Sequence, residues 1–346
     1  MIHALSRIMP ALLILSVVAA PAAALEGSIG VSGPRGGGTL RLIVSQDWSR
    51  PLPDVTRAVI TIHGQNRDVL ATDRVAEAGL AAASARPGSP PAADTLLITP
   101  DFPRDTDPVG ADDLRWHRND WMDGQDADAP APIGSFTLMD AIIARLSDRN
   151  RFPRLVTIVL VGHSGGGQFV QRYAVLAHAA PAGTRLRFVI ANASSYAYFS
   201  PDRPAADGGF SPYPAGACPG FDRWKYGLQD LPIDPGAASA GGLEARYVGR
   251  EVTYLLGTRD TDPDLGALDK SCAAEAQGPD HVDRGRAYFR YLQLRHPSDL
   301  RQQLHEVPGI GHDQAAMLTS AEALAAIYDP ARPEIQIIGN DHDNLR

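Results

Sequence analysis

Lysine, cysteine and long hydrophobic runs are all scarce in this sequence of 346 residues. Lys225 and Lys270 are its two lysines, acidic residues outnumber basic ones by 40 to 32, and no basic block could neutralise a phosphate backbone. We therefore expect no nucleic-acid partner. The longest apolar run near the start, residues 8–20, is shorter than the roughly 20 residues that span a bilayer, so we expect no stable membrane insertion.

That short apolar run has the features of an export signal. Arg7 precedes it, and the small residues Ala22, Ala23 and Ala24 follow it, as at a signal-peptide cleavage site. We therefore predict that residues 1–24 are removed and that the mature protein is secreted or periplasmic. A membrane anchor is the alternative, which the length of the run disfavours.

Export would expose the two cysteines, Cys218 and Cys272, to an oxidising environment. In an oxidising compartment an even number of cysteines favours a disulfide bond. This bond would close a loop of 54 residues, which the chain-entropy model values at roughly 4 kcal/mol. Two unconnected buried thiols are the alternative.

The rest of the composition, with 44% hydrophobic and 21% charged residues, is typical of a folded globular protein. Short runs rich in Val, Ile and Leu alternate with segments of helical length, which predicts an α/β fold with a mostly parallel central sheet and helices on both faces. The predicted strands are residues 40–44, 58–62, 95–99, 155–161, 186–191, 252–256 and 303–307, and the predicted helices are 74–84, 136–148, 166–179, 284–294 and 313–327. A glycine-rich lead, residues 27–38, precedes them. No linker divides the chain into two domains, so we expect residues 25–346 to form a single domain.

The strongest motif follows the predicted strand 155–161, where the chain continues as Gly162-His163-Ser164-Gly165-Gly166 and then as a helix. This is the G-x-S-x-G pattern in a strand–turn–helix context, which exposes the Ser164 hydroxyl at the end of the sheet. A phosphate-binding turn is the alternative, but the lysine followed by Ser or Thr that such a loop needs is missing.

With this turn, the sequence resembles the α/β-hydrolase superfamily, and in particular its secreted serine esterases and lipase-like members. The resemblance covers residues 40–328. It implies a Ser-His-Asp catalytic triad, no cofactor, and an acid and a histidine that follow Ser164 in that order along the chain.

The triad acid is expected just after the predicted strand 252–256. Asp260 fits this place, and Asp262 is the alternative. The acid holds the imidazole in the correct tautomer and stabilises the imidazolium. Turn formation is the other role open to either aspartate.

The general base is expected in the turn after the last strand, where His312 lies among glycines. His305, within that strand, and His342, in the polar tail, are weaker candidates. His163, next to Ser164, is expected to pack beneath it.

An oxyanion hole needs two backbone N–H donors. The resemblance implies Gly165, directly after the nucleophile, and Gln65, in the His-Gly segment after residues 58–62. A turn that merely ends the strand is the alternative interpretation of that segment.

Two stretches are too long for ordinary connections, a loop at 103–132 and a cap-like insertion at 196–250. We expect Trp116, Trp121 and Tyr196, which lie in them, to contact substrate. Alternatively the tryptophans pin the loop to the body. The loop's carboxylates lack the spacing of a calcium-binding loop, so no metal is expected.

These observations predict a secreted serine hydrolase that cleaves carboxylic esters through an acyl-serine intermediate. Small-molecule, lipid and polymeric esters all remain open as substrates. A serine peptidase or amidase on the same fold is one alternative, and a non-catalytic binding relative is another.

Overall fold

The computed structural model describes residues 25–233 and 239–329. The predicted signal peptide, residues 1–24, and His342 lie outside the described residues. Among the described helices, none is both long and apolar enough to cross a membrane.

An eight-stranded sheet forms the centre of the protein, in the order β1-β2-β4-β3-β5-β6-β9-β10. The six strands from β4 to β10 are parallel, whereas β2 is antiparallel to both β1 and β4. Its strands are β1 Leu25–Gly33, β2 Gly36–Val44, β3 Arg57–Ile62, β4 Thr95–Pro100, β5 Thr157–His163, β6 Arg185–Ala191, β9 Glu251–Gly257 and β10 Gln303–Val307. A separate hairpin pairs β7 Asp202–Pro204 with β8 Phe210–Pro212.

Helices cover both faces of the sheet. They are α1 Val69–Ser84, α2 Ser135–Leu146, α3 Gly165–Leu176, α4 Ala240–Val248, α5 Cys272–Glu275, α6 His281–Arg295, α7 Gln314–Leu318 and α8 Ala321–Tyr328. Residues of α1, α7 and α8 share one apolar cluster with the sheet, and residues of α2, α3, α4 and α6 share the other. Successive residues of β5 alternate between the two clusters, so this strand is buried on both faces. The predicted fold class is confirmed.

The structure corrects three predictions of secondary structure. The glycine-rich lead, residues 27–38, belongs to the β1–β2 hairpin. The predicted helix 313–327 is two helices, because the side chain of Ser320 accepts a hydrogen bond from the Ala323 amide and starts α8 anew. The cap-like insertion contains the helix α4, whose N-cap is Ser239. The sequence did not predict this helix because two glycines, which are unfavourable in helices, lie in its first turn.

The predicted disulfide between Cys218 and Cys272 is formed, with 5.9 Å between the two Cα atoms. It joins the insertion to the start of α5. The insertion is thereby linked to the segment that leads into α6.

Candidate active site

Ser164 lies on a sharp turn between β5 and α3. Its backbone has φ 58° and ψ −120°, a conformation that costs a non-glycine residue about 1–3 kcal/mol. The turn is possible because its neighbours are glycines. A Cβ atom on Gly162 would lie 2.3 Å from the Gly166 carbonyl carbon, and one on Gly166 would lie 2.2 Å from the Ile62 carbonyl oxygen. The G-x-S-x-G pattern thus has a steric basis here.

His312 connects Ser164 to Asp260. Its Nε2 atom lies 2.9 Å from the Ser164 Oγ atom, and its Nδ1 atom lies 2.7 Å from the Asp260 Oδ2 atom. Asp262, the alternative acid, instead accepts a hydrogen bond from the Asp264 amide within its own exposed turn. The geometry therefore brings together the three residues that the sequence analysis selected.

The Asp260 carboxylate contacts a second imidazole that the sequence analysis missed. Its Oδ1 atom lies 3.2 Å from the Nδ1 atom of His281, and both side chains are almost completely buried. Burial alone would raise the pKa of Asp260, but the contacts with His281 and His312 outweigh burial and hold that pKa well below its usual value. The sequence carries no motif for His281, which begins α6 three positions before the start of the predicted helix.

Two further imidazoles pack against His312. The His281 ring is stacked at 4.2 Å between centroids with planes 29° apart, and the His163 ring lies at 4.6 Å. Burial lowers the pKa of His281 and, more strongly, that of His163, so both are neutral near pH 7. His163 packs beside the site, whereas His305 is exposed on β10.

Asp260, His281 and His312 place one potential ligand atom each within 4.8 Å of one another. The Nδ1 atom of His312 lies 2.7 Å from the Asp260 Oδ2 atom, which is a hydrogen-bonding distance.

The side chain of Asn192 holds the two catalytic loops against the end of β5. Its Oδ1 atom accepts a hydrogen bond from the Gly257 amide at the end of β9. Its Nδ2 atom donates to the Gly311 carbonyl oxygen, next to His312, and lies 3.3 Å from the Nε2 atom of His163. This amide aligns the loops that carry Asp260 and His312.

The backbone of Gln65 passes close to Gly165, the residue directly after Ser164. A Cβ atom on Gly165 would lie 2.8 Å from the Gln65 nitrogen, and one on Gly64 would lie 4.0 Å from the Ser164 Cβ atom. Neither the Gln65 amide nor the Gly165 amide donates to an acceptor in the part of the chain that the structure describes. Two backbone N–H groups without an acceptor therefore lie near Ser164, which is what an oxyanion hole would need.

The three aromatic side chains expected to contact substrate are instead part of the core. Trp116, Trp121 and Tyr196 have no exposed surface. The indole N–H of Trp116 donates to the Gln125 carbonyl oxygen, and the Trp121 ring stacks on Phe102 at 5.1 Å. The alternative interpretation, in which the tryptophans pin the loop to the body, describes the structure.

Met122 is the residue of this loop that reaches the site. Its sulfur lies 2.7 Å from the position that a Cβ atom on Gly165 would occupy. Sequence reasoning missed it because its neighbour Trp121 was the more prominent residue. Met122 therefore lies next to Gly165, the residue that follows the nucleophile.

No protein-family model matches the chain, and no curated protein matches its sequence. Several solved structures are similar. Poly(aspartic acid) hydrolase-1 from Sphingomonas sp. KT-1 is 22% identical with a TM-score of 0.58 over 87% of this chain and 98% of that one. A poly(3-hydroxybutyrate) depolymerase from Bordetella parapertussis is 20% identical with a TM-score of 0.59, over 90% of this chain and 92% of that one. A siderophore hydrolase from Aspergillus nidulans is 17% identical with a TM-score of 0.50, over 92% of this chain and 98% of that one. With its sheet order and its Ser164 turn, the chain has the α/β-hydrolase fold.

Proposed function

We propose that the protein is a serine hydrolase that cleaves carboxylic esters through an acyl-serine intermediate. One observation carries this proposal. The imidazole of His312 lies within hydrogen-bonding distance of both the Ser164 hydroxyl and the Asp260 carboxylate. A hydroxyl, a neutral base and a buried anion in this order are the parts of a nucleophilic triad.

In the first half of the reaction, the Ser164 Oγ atom attacks the ester carbonyl carbon while its proton moves to the His312 Nε2 atom. Asp260 stabilises the resulting imidazolium through the Nδ1 atom. The carbonyl oxygen becomes an oxyanion, which accepts hydrogen bonds from the amides of Gly165 and Gln65. Collapse of this intermediate breaks the ester bond, and the departing alkoxide takes the proton from His312.

In the second half, a water molecule attacks the acyl-serine carbonyl carbon and gives a proton to the His312 Nε2 atom. The same two amides donate hydrogen bonds to the new oxyanion. Breakdown releases the carboxylic acid, and the proton returns from His312 to Ser164. The cycle balances without a metal or a cofactor.

The peptidase alternative requires free carboxylates in the 103–132 loop that could bind a substrate amine. Three aspartates of this loop are paired with arginines instead, Asp107 with Arg67, Asp123 with Arg172, and Asp126 with Arg35. Comparison of amide with ester turnover decides between the two functions.

The substrate class is tested with esters of graded acyl length, a soluble polyester and matched amides. The wild type is compared with Ser164→Ala and His312→Ala, and exposed His305→Ala is the matched histidine control. We expect ester turnover to fall by several orders of magnitude in the first two variants and to stay unchanged in His305→Ala. Wild-type levels in Ser164→Ala, or faster turnover of amides than of esters, would contradict the proposal.

We also propose that the enzyme acts outside the cytoplasm, as a secreted or periplasmic protein. The disulfide between Cys218 and Cys272 supports an oxidising compartment. N-terminal sequencing of the exported protein is expected to begin at Leu25. An intact start at Met1 in the exported fraction would contradict cleavage.

A further inference from the structure

His281 lies beside the proposed triad without a role in the reaction described above. Its side chain has no exposed surface, and its Nδ1 atom lies 3.2 Å from the Asp260 Oδ1 atom. The ring N–H is not aligned with this oxygen, so neither atom forms a well-directed hydrogen bond in this conformation. Among the described residues neither atom has another hydrogen-bond partner. Their separation of 3.2 Å is within the distance range of an N–H···O hydrogen bond.

We propose that His281 is a positioning residue whose Nδ1–H group holds Asp260 Oδ1, so that Asp260 Oδ2 stays directed at His312. This inference rests on the proposed function, because it assigns His281 a role through Asp260 in that reaction. His281 itself touches neither Ser164 nor a reacting atom. It is thus a support of the triad and not a fourth catalytic residue.

The burial of His281 supports this role. An imidazole without exposed surface gives up the hydrogen bonds that water would offer to both ring nitrogens. An apolar side chain would fill the same space without that loss. The nearby Asp260 oxygen is the acceptor that makes a buried donor favourable at this position.

The charge state of His281 fits a donor that leaves His312 free to accept a proton. His281 faces Asp260 and His312, and Arg284 follows it on α6. The Arg284 guanidinium is engaged by the carbonyl oxygens of Ser194, Gly278 and Asp269. Burial lowers the pKa of His281, so it donates as a neutral ring. A second imidazolium stacked at 4.2 Å would oppose protonation of His312.

Two other titratable groups close to these rings do not replace His281. The Asp280 carboxylate caps α6 by accepting a hydrogen bond from the Asp283 amide. His163 packs against His312 at 4.6 Å and lies 3.3 Å from Asn192. Among the described residues, neither forms a hydrogen bond with Asp260 Oδ1, so neither takes the place of His281.

The variants His281→Phe and His281→Asn separate packing from hydrogen bonding. Phenylalanine fills the space without a donor, whereas the asparagine amide can replace the Nδ1–H group. We expect kcat to fall about 10- to 100-fold in His281→Phe, the range seen when groups that orient metal-bound histidines are removed. KM should change little, and His281→Asn should recover most of the loss.

The pH dependence of kcat/KM distinguishes the two roles, because loss of packing alone would not shift it. Without one donor, the Asp260 carboxylate attracts the His312 proton more strongly. The acid limb of the kcat/KM profile should therefore move to higher pH in His281→Phe and return in His281→Asn. Folded His281→Phe with an unchanged kcat and an unchanged profile would overturn the inference.

A spectroscopic test uses the unmodified chain and does not depend on the folding of a variant. Nitrogen-15 NMR of labelled histidines distinguishes the two neutral tautomers. We expect His281 to carry its proton on Nδ1 in both the wild type and Ser164→Ala, and a proton on Nε2 would overturn the inference. Absence of ester turnover in the wild type, with the Nδ1 tautomer present, would instead count against the proposed function alone.

Discussion

Asp260 and His312 are joined by a contact of 2.7 Å between Oδ2 and Nδ1. Asp262, two positions later, has an exposed side chain that serves its own turn. We therefore expect Asp260→Asn to reduce kcat by up to about 10⁴-fold, because the amide favours the wrong tautomer of the imidazole. Asp262→Asn should change kcat less than about 2-fold, as expected of a surface substitution. Steady-state kinetics on the best ester measure both, and the reverse order of effects would assign the acid to Asp262.

Gly162→Ala is expected to destabilise the protein by about 3 kcal/mol or more. The added methyl group would lie 2.3 Å from backbone atoms of Gly166, and backbone cannot move aside as a flexible side chain can. Gly220→Ala is the matched control because its added methyl group meets no atom within 4 Å. Urea unfolding gives both free energies. Equal midpoints for the two variants would show that the turn tolerates a side chain at Gly162.

The unfolding free energy should fall as the pH is lowered from about 6.5 to about 4, in part because of His63. Burial lowers the pKa of His63 to about 4, below its value in the unfolded chain. Between these two values the unfolded chain binds the extra proton, so acid favours unfolding. The shift corresponds to about 3 kcal/mol from this one side chain. Urea titrations across this pH range measure it.

His63→Gln isolates that effect from the other buried histidines. The Nε2 atom of His63 accepts a hydrogen bond from the Phe102 amide, and a glutamine oxygen can accept in its place. The variant should lose part of the pH dependence while it stays folded near pH 7. A pH dependence identical to that of the wild type would show that His63 does not control it.

Reduction of the bond between Cys218 and Cys272 should lower the melting temperature. The loop of 54 residues corresponds to a loss of at most about 4 kcal/mol. Cys218→Ser should start from the lower melting temperature and show no further response to reductant. Calorimetry with and without reductant measures both. Rapid alkylation of both thiols in the native, unreduced protein would contradict the bond.

The parts of the site that follow strands along the sequence could be predicted from it. Ser164, Asp260 and His312 each follow a strand of the sheet, and the ends of parallel strands meet at one edge of a sheet. His281 could not be found this way, because it reaches Asp260 from the start of a helix. Its position depends on how α6 packs on the sheet, which no local pattern encodes.

The direction of the side chains within the 103–132 loop could not be predicted from the sequence either. Trp121 and Met122 are adjacent and both buried, and composition alone does not tell which one packs on Phe102 and which one lies next to Gly165. The stacking of Trp121 on Phe102 decides it, and this contact joins positions 19 residues apart. The predicted strand 40–44 is the second half of β2. The first half of β2 and the whole of β1 were missed for another reason, because their many glycines are unfavourable in strands.

Ser164 and His312, between which the proposed proton transfer occurs, follow strands that differ in their number of neighbouring strands. Ser164 follows β5, which has β3 on one side and β6 on the other. His312 follows β10, which among the described strands borders β9 alone. A strand with a single neighbour opens at a smaller free-energy cost than one held on both sides. Gentle heating or dilute denaturant should therefore inactivate the enzyme while the middle of the sheet is still intact.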